Sequence, residues 1–201
     1  MKKSIIAIAI TLSAVFGIIG STYAATSGTE EFTTLTEVTH INKIEIHGNV
    51  ELFVSDGTTD QVKVYNKYYA ESALVQDQNG VLRVSSYTAK KLVVWVTASD
   101  LQNISVYDNA QVKSFGKLSA LDLDVKLYNN ASAQLNMDTY KTTITLNDHA
   151  KADLSGTVAE SAVYYDRATS VNTTNLVAAH LVKTLNFDAT SIKDAVEFAT
   201  L

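Results

Sequence analysis

Apolar and polar residues alternate along most of the chain after residue 38, a pattern typical of strands with one buried face. Residues 41–54 show it most clearly, and residues 92–96 form a continuous apolar run. Between them, Asn79-Gly80 predicts a type I′ turn that joins two further strands. The pattern therefore predicts an all-β chain.

From residue 101 onward, a four-residue cassette recurs: an aromatic or polar residue, then Asp or Asn, any residue, and Ala or Thr. Its second member returns every 18 to 22 residues, a period that indicates a solenoid of stacked coils, each a strand, a tight corner and a strand. The cassettes are Tyr107-Asp108-Asn109-Ala110, Tyr128-Asn129-Asn130-Ala131, Asn147-Asp148-His149-Ala150, Tyr165-Asp166-Arg167-Ala168 and Phe187-Asp188-Ala189-Thr190.

The alternation also predicts which side chains face the core, with small residues after each corner because a tight turn leaves little room there. The predicted inward residues are Val106, Ala110, Val112, Leu127, Ala131, Ala133, Leu135, Leu146, Ala150, Ala152 and Leu154, followed in the fourth coil by Tyr164, Ala168 and Ser170. Asp and Asn at the corners have a conformational explanation. They tolerate left-handed backbone angles and can bond their own following amides.

The ends of the chain divide it further. Residues 1–24 predict a secretory signal peptide, with a basic start, an apolar stretch over residues 5–19 and small residues before a cleavage site. A retained membrane anchor is the weaker alternative because that stretch is shorter than the ~20 residues that span a bilayer. We expect a flexible leader over residues 25–37, an N-terminal β half over residues 38–100, and repeated coils over residues 101–201 that end in a cap at residues 193–201.

Composition narrows the classes of function. The formal net charge is −5, and loss of the signal peptide makes it more negative, which argues against a nucleic-acid partner. The chain has no cysteine, so disulfides, thiol chemistry and lipid attachment through Cys are excluded. Absence of proline fits a structure built from strand ladders. Together with the signal peptide, these features predict a protein that is soluble after export.

Three segments together resemble a known family. They are INKIEIHGNVELFVSDG from residue 41, VLRV from residue 81, and WVTASDLQNISVYDNAQV from residue 95. In this order, and followed by the cassettes, they resemble the exported bacterial family called putative auto-transporter adhesin, head GIN domain, over roughly residues 38–198. The resemblance implies a right-handed single-stranded β-helix, a surface or periplasmic location and an adhesin function.

The chain departs from that family in two respects. Family members commonly have glycine at the corner, where this chain has Asp or Asn, and the same backbone shape would serve both. Many members also carry a lipid-attachment cysteine, which is absent here. Tethering of this chain through a lipid is therefore not expected.

The residues before the corners form an outward stripe of Tyr107, Tyr128, Asn147, Tyr165 and Phe187. Aromatic rings at regular spacing could stack against sugar rings, while neighbouring polar groups bond hydroxyls. Alternatively, stacked tyrosines only stabilise the ladder of strands. The ligand-binding hypothesis assigns Tyr107, Tyr128, Tyr165, Asp108, Asn129, Asp148 and Asp166. A second aromatic cluster, Tyr65, Tyr68 and Tyr69, is expected to pack over the N-terminal half.

Other chemistries have weaker support. The carboxylates Asp148, Asp166 and Asp188 are too sparse for a calcium site, so no metal or other cofactor is predicted. β-Helical polysaccharide enzymes build a groove from long loops, for which the cassette spacing leaves no room, and no catalytic motif occurs. We therefore predict a non-enzymatic adhesin or recognition protein that binds a glycan or an envelope protein. The alternative is a structural protein that self-associates through the ends of its solenoid.

Overall fold

A computed structural model describes residues 32–35, 38, 40–65 and 73–186. All regular structure in these residues is β-strand. The thirteen strands are β1 (Thr33–Leu35), β2 (Lys43–Gly48), β3 (Val50–Asp56), β4 (Gln61–Tyr65), β5 (Ala73–Gln78), β6 (Val81–Ser86), β7 (Leu92–Ala98), β8 (Asn103–Val106), β9 (Gln111–Ser114), β10 (Leu118–Leu127), β11 (Ser132–Leu146), β12 (Lys151–Tyr165) and β13 (Ser170–Leu185).

The strands form one curled sheet, a half-barrel whose main path of eleven strands runs β1-β4-β7-β3-β9-β11-β10-β8-β2-β6-β5. β12 and β13 extend the sheet from β11. Pairing is mixed, because β1–β4, β4–β7 and β5–β6 are antiparallel whereas the other pairs are parallel. The all-β prediction is confirmed, and the prediction of a right-handed single-stranded β-helix is wrong. The cassette period predicted only parallel neighbours, and three antiparallel pairs reverse the chain within the sheet.

The curl arises because the longest strands belong to both sides of the sheet. In β11, residues 132–134 pair with β9 and residues 137–146 pair with β10. Gly156 lies within β12 at φ 101°, and the register of β12 against β13 shifts just before it, between Asp153 and Ser155. The long strands thus bend around the core instead of crossing it.

The core fills the inside of the curl. Apolar side chains from both sides form one continuous cluster from Leu35 to Val163. Each fully buried Leu or Ile in it contributes roughly 1.5–3 kcal/mol relative to exposure. The eleven inward residues predicted for the first three corners are all buried, so that part of the prediction is confirmed.

Two local predictions have different outcomes. Asn79 and Gly80 both have positive φ and join β5 to β6 as an antiparallel hairpin, as predicted. At the fourth corner the predicted inward residues are wrong, because Tyr164, Ala168 and Ser170 are exposed.

Asp60 fastens the β3–β4 connection to two other segments. Its Oδ2 accepts from the Ile41 amide at 2.6 Å, and its Oδ1 accepts from the Ser99 amide and hydroxyl, both at 2.8 Å. Partial burial acts to raise the pKa of this carboxyl, but these hydrogen bonds outweigh it and hold the pKa below its ordinary value. Asp60 therefore remains an ionised acceptor at neutral pH.

Several predictions fall on other parts of the chain. The signal peptide at residues 1–24, the fifth cassette and the cap at residues 193–201 lie outside the described residues. Residues 33–35 of the predicted leader form β1, which pairs with β4. Within the described ranges no helix is long and apolar enough to cross a membrane.

We predict that Gly156→Ala destabilises the protein more than Gly116→Ala. Both glycines have positive φ, which costs a residue with a Cβ roughly 1–2 kcal/mol. At Gly116 a Cβ would meet no atom within 4 Å, whereas at Gly156 it would overlap the Met137 carbonyl oxygen. The midpoint of urea denaturation measures the difference. Equal losses in the two variants would contradict the close approach of β12 to β11.

Candidate functional site

The first three corners have nearly the same backbone shape. Asp108, Asn129 and Asp148 have φ of 60°, 59° and 59°, which confirms the left-handed angles expected there. The amide two residues later closes each turn on the residue before the corner, as from Ala110 to the Tyr107 carbonyl at 3.1 Å. The following alanine is fully buried at all three corners.

The corner side chains bond neighbouring corners and form what we call the acceptor ladder. Asp108 Oδ2 accepts from the Gly48 amide at 3.0 Å, and Asn129 Oδ1 accepts from the Asp108 amide at 3.2 Å. Asp148 Oδ2 accepts from the Asn129 amide at 2.9 Å, and Asp166 Oδ2 accepts from the Asp148 amide at 3.1 Å. Each acceptor therefore bonds a backbone N–H of the neighbouring corner. The sequence had predicted that each Asp or Asn would bond the amides that follow it in its own corner.

The fourth corner is offset by one residue from its cassette. Tyr165 pairs with Leu146 and packs against the core, so it is not part of the outward stripe. Asp166 takes the place that Asn147 has at the third corner, and its amide donates to the Leu146 carbonyl at 3.2 Å. Thr169 then closes the turn in place of an alanine. The extra residue before the turn moves the neighbouring side chains to the other face of the strand, which explains why the inward residues predicted for this corner are wrong.

Three outward rings lie against one another beside the ladder, and we call them the ring stack. Tyr107 and Tyr128 have centroids 4.8 Å apart and an interplanar angle of 3°. His47 lies on the other side of Tyr107 at 4.3 Å and 2°. The faces between neighbouring rings are thus covered, and the stack presents mainly ring edges. Sequence reasoning missed His47 as a member of this stack. The alternation pattern does place it outward, because it lies two residues after the outward residue Glu45.

Ion pairs flank the ring stack. The hydrogen bond from Lys43 to Glu45, with the charge of Arg83 nearby, holds the pKa of Glu45 below its ordinary value despite partial burial. A hydrogen bond of 2.8 Å from Lys126 to Asp124 raises the pKa of Lys126. Both carboxylates are thus paired with lysine or arginine along the sheet.

The described residues contain no group of three or more His, Asp or Glu side chains placed to hold a metal ion. Asp148 and Asp166 instead accept backbone hydrogen bonds. Asp188, the third carboxylate considered for calcium, lies outside the described ranges.

A second group of outward rings lies on the other side of the half-barrel, and we call it the aromatic patch. Trp95 is at its centre, with Phe53 stacked at 4.8 Å, Phe115 tilted at 5.1 Å and Tyr65 tilted at 6.4 Å. Phe32 lies 5.4 Å from Tyr65 at the rim. Phe32 is 50% exposed and Phe115 62% exposed. Of this patch, sequence reasoning singled out only Tyr65, whose expected partners Tyr68 and Tyr69 are outside the described residues.

The aromatic patch continues into a polar groove of about 350 Å³ across β9, β11, β12 and β13. Small side chains such as Ser132 and Ser170 leave it open, and it is lined by Gln111, Val112, Lys113, Ser132, Ala133, Gln134, Lys151, Ala152, Asp153, Ser170 and Asn172. The outward parity of the strands carried a signal for both features.

The model of the family described as putative auto-transporter adhesin, head GIN domain, matches residues 40–186, well over half of the chain. The chain belongs to this family. The resemblance inferred from its sequence segments is therefore confirmed. No curated protein matches the chain.

Solved structures of similar fold include proteins described as putative adhesins. One from Bacteroides fragilis is 18% identical, with a TM-score of 0.66 over 79% of this chain and 78% of its own. One from Parabacteroides distasonis is 14% identical, with a TM-score of 0.60 over 79% of each chain. One from Parabacteroides merdae is 15% identical, with a TM-score of 0.58 over 79% of this chain and 78% of its own. At these identities the likeness concerns the fold.

Substitutions at Asp148 separate the two roles of a corner residue. Asp148→Asn keeps both the acceptor and tolerance of positive φ, so we expect little change in stability. Asp148→Gly keeps only the backbone angle and should lose about 1 kcal/mol, the value of one hydrogen bond. Asp148→Ala loses both and should cost about 2–3 kcal/mol. Thermal or urea unfolding gives the order, and an alanine variant as stable as the asparagine variant would contradict the ladder.

Proposed function

We propose that this chain is an exported, non-enzymatic adhesin domain that binds polysaccharide through the outer face of its sheet. The observation that carries this proposal is the straight alignment of outward side chains across in-register parallel strands. Successive strands lie ~4.8 Å apart, so equivalent outward groups recur at that interval. A rigid surface of repeated groups suits a ligand that is itself a repeating polymer.

Membership of the adhesin family supports binding as the activity and supports an exported or surface location. Recognition of polysaccharide is our own extension from the surface chemistry. Aromatic rings provide apolar faces or edges for sugar C–H groups, and amide or hydroxyl side chains bond sugar hydroxyls. Both kinds of group occur on the outer face of this half-barrel.

The residues first assigned from the sequence form one candidate contact surface. Tyr107 and Tyr128 present their edges outward, and Asn129 lies exposed beside them. Asp108, Asp148 and Asp166 belong to this surface too, although each uses an oxygen to accept a backbone hydrogen bond. Tyr165 is removed from the candidate site because it packs against the core.

A specific observation favours a second candidate function, self-association within the cell envelope. β13 pairs only with β12 among the described strands, and it carries exposed apolar residues. Val177 is 69% exposed, Val182 60% and Leu181 40%. A strand edge of this kind can pair with a second chain. In that case the function would be assembly through the β13 edge instead of polysaccharide recognition.

We predict that the purified exported protein binds at least one polysaccharide on an array while remaining a monomer. Light scattering over a range of protein concentrations measures the oligomeric state in parallel. A Tyr128→Ser variant tests the ring stack, and Tyr140→Ser controls for loss of an exposed tyrosine elsewhere. Absence of binding together with concentration-dependent association would contradict the recognition function and favour assembly.

A further inference from the structure

One column of outward residues crosses seven strands on the side of the half-barrel that carries the aromatic patch. Registers place these residues side by side from β4 to β13, a distance of about 29 Å at the usual strand spacing. In order, the column contains Lys63, Trp95, Phe53, Lys113, Gln134, Asp153 and Asn172.

The two halves of the column differ in chemistry. The first half contains Trp95, the only tryptophan of the chain, and Phe53 within the aromatic patch. Trp95 stacks on Phe53, and the ring that this patch exposes most is Phe115. This half suits contact with the C–H face of a sugar ring.

The second half is the polar groove. Gln134, Asp153 and Asn172 line one wall, and the Asn172 amide donates to Asp153 Oδ1 at 3.1 Å. Ser132, Lys151 and Ser170 lie side by side in the neighbouring outward column and also line the groove. Amide, hydroxyl and carboxylate groups in this arrangement can bond several sugar hydroxyls. An extended chain could contact both halves at once.

The charge of this face narrows the ligand class. It carries Lys63, Lys91, Lys113 and Lys151, against two carboxylates, Asp153 and Glu51, and Glu51 is shared by Lys91 at 3.9 Å and Lys113. Lys113 pairs with Glu51 at 2.6 Å and also lies over the Phe53 ring at 5.7 Å. Lys63 lies over the Phe32 ring at 5.4 Å. A surplus of lysine on one face of an acidic protein is complementary to an anionic ligand.

We infer that this face, the aromatic patch together with the polar groove, is the binding site for an anionic polysaccharide such as a polyuronate. The inference rests on the proposed recognition function and assigns its site and ligand class. Sugar rings stack in the aromatic patch, hydroxyls bond in the polar groove, and the lysines neutralise carboxylates of the chain. The ring stack on the other side then has a structural role.

A matched pair of ligands tests whether the site prefers an anionic polysaccharide. Polygalacturonate and its fully methyl-esterified form share one backbone and differ in charge. We expect the full-length exported protein to bind polygalacturonate at least tenfold more tightly than the ester, with affinity that falls as salt is added. Stronger binding of the ester, or of neutral dextran, would overturn the anionic class while leaving polysaccharide recognition intact.

Matched variants test the location. Phe115→Ser and Lys151→Glu alter exposed side chains of the aromatic patch and the polar groove, and each should weaken binding at least tenfold. Tyr140→Ser and Lys141→Glu likewise replace an exposed aromatic residue by serine and an exposed lysine by glutamate, but outside this face, and should bind as the parent does. Circular dichroism confirms that each variant folds.

The outcomes distinguish this inference from the function on which it rests. Unchanged binding in Phe115→Ser and Lys151→Glu, with loss in Tyr128→Ser, would place the site at the ring stack and overturn this inference alone. Failure of the parent protein to bind any polysaccharide, charged or neutral, would overturn both.

Discussion

Satisfaction of backbone N–H groups at the corners is the constraint on which this half-barrel depends. A chain that turns sharply between two strands leaves amides that the strand ladder cannot pair, and each hydrogen bond made to such an amide contributes about 1 kcal/mol. The acceptor ladder from Asp108 to Asp166 solves this by taking each acceptor from the neighbouring corner. Corner and neighbour are thereby held in one register, which aligns the buried alanines inside and the ring stack outside. Gly48 ends the ladder, where a Cβ would overlap the Ser86 carbonyl.

Alternation of residue types was sufficient to predict strands, inward residues and the Asn79-Gly80 hairpin, because these depend on local geometry. It did not predict the half-barrel, because the partner of a strand depends on contacts distant in sequence. The Asn79-Gly80 hairpin implies one antiparallel pair, whereas the cassette period indicates parallel stacking of strands. The offset at Tyr165 has a similar origin. One extra residue before a turn leaves the motif intact in sequence and moves every following side chain to the other face.

The same reasoning explains what could be predicted of the candidate site. The cassettes singled out Tyr107 and Tyr128, and these rings do lie side by side, stacked at 4.8 Å. The aromatic patch combines Phe53, Trp95 and Phe115 from three separate chain segments, so no local sequence motif predicts it. Its continuation into the polar groove depends on the register of β9 against β11. A surface of this kind becomes visible only when the strand order is known.

Hydrogen exchange at single corner amides tests the ladder most directly, since it reports whether each N–H is held by its acceptor. The account predicts that the amides of Asp108, Asn129 and Asp148 exchange nearly as slowly as those of the adjoining strand residues Val106 and Leu127. In Asp148→Gly the Asn129 amide should exchange much faster, while the Asp108 amide, which donates to Asn129, keeps its protection. Exchange of all three corner amides in the parent protein at the rate of an exposed turn would contradict the account.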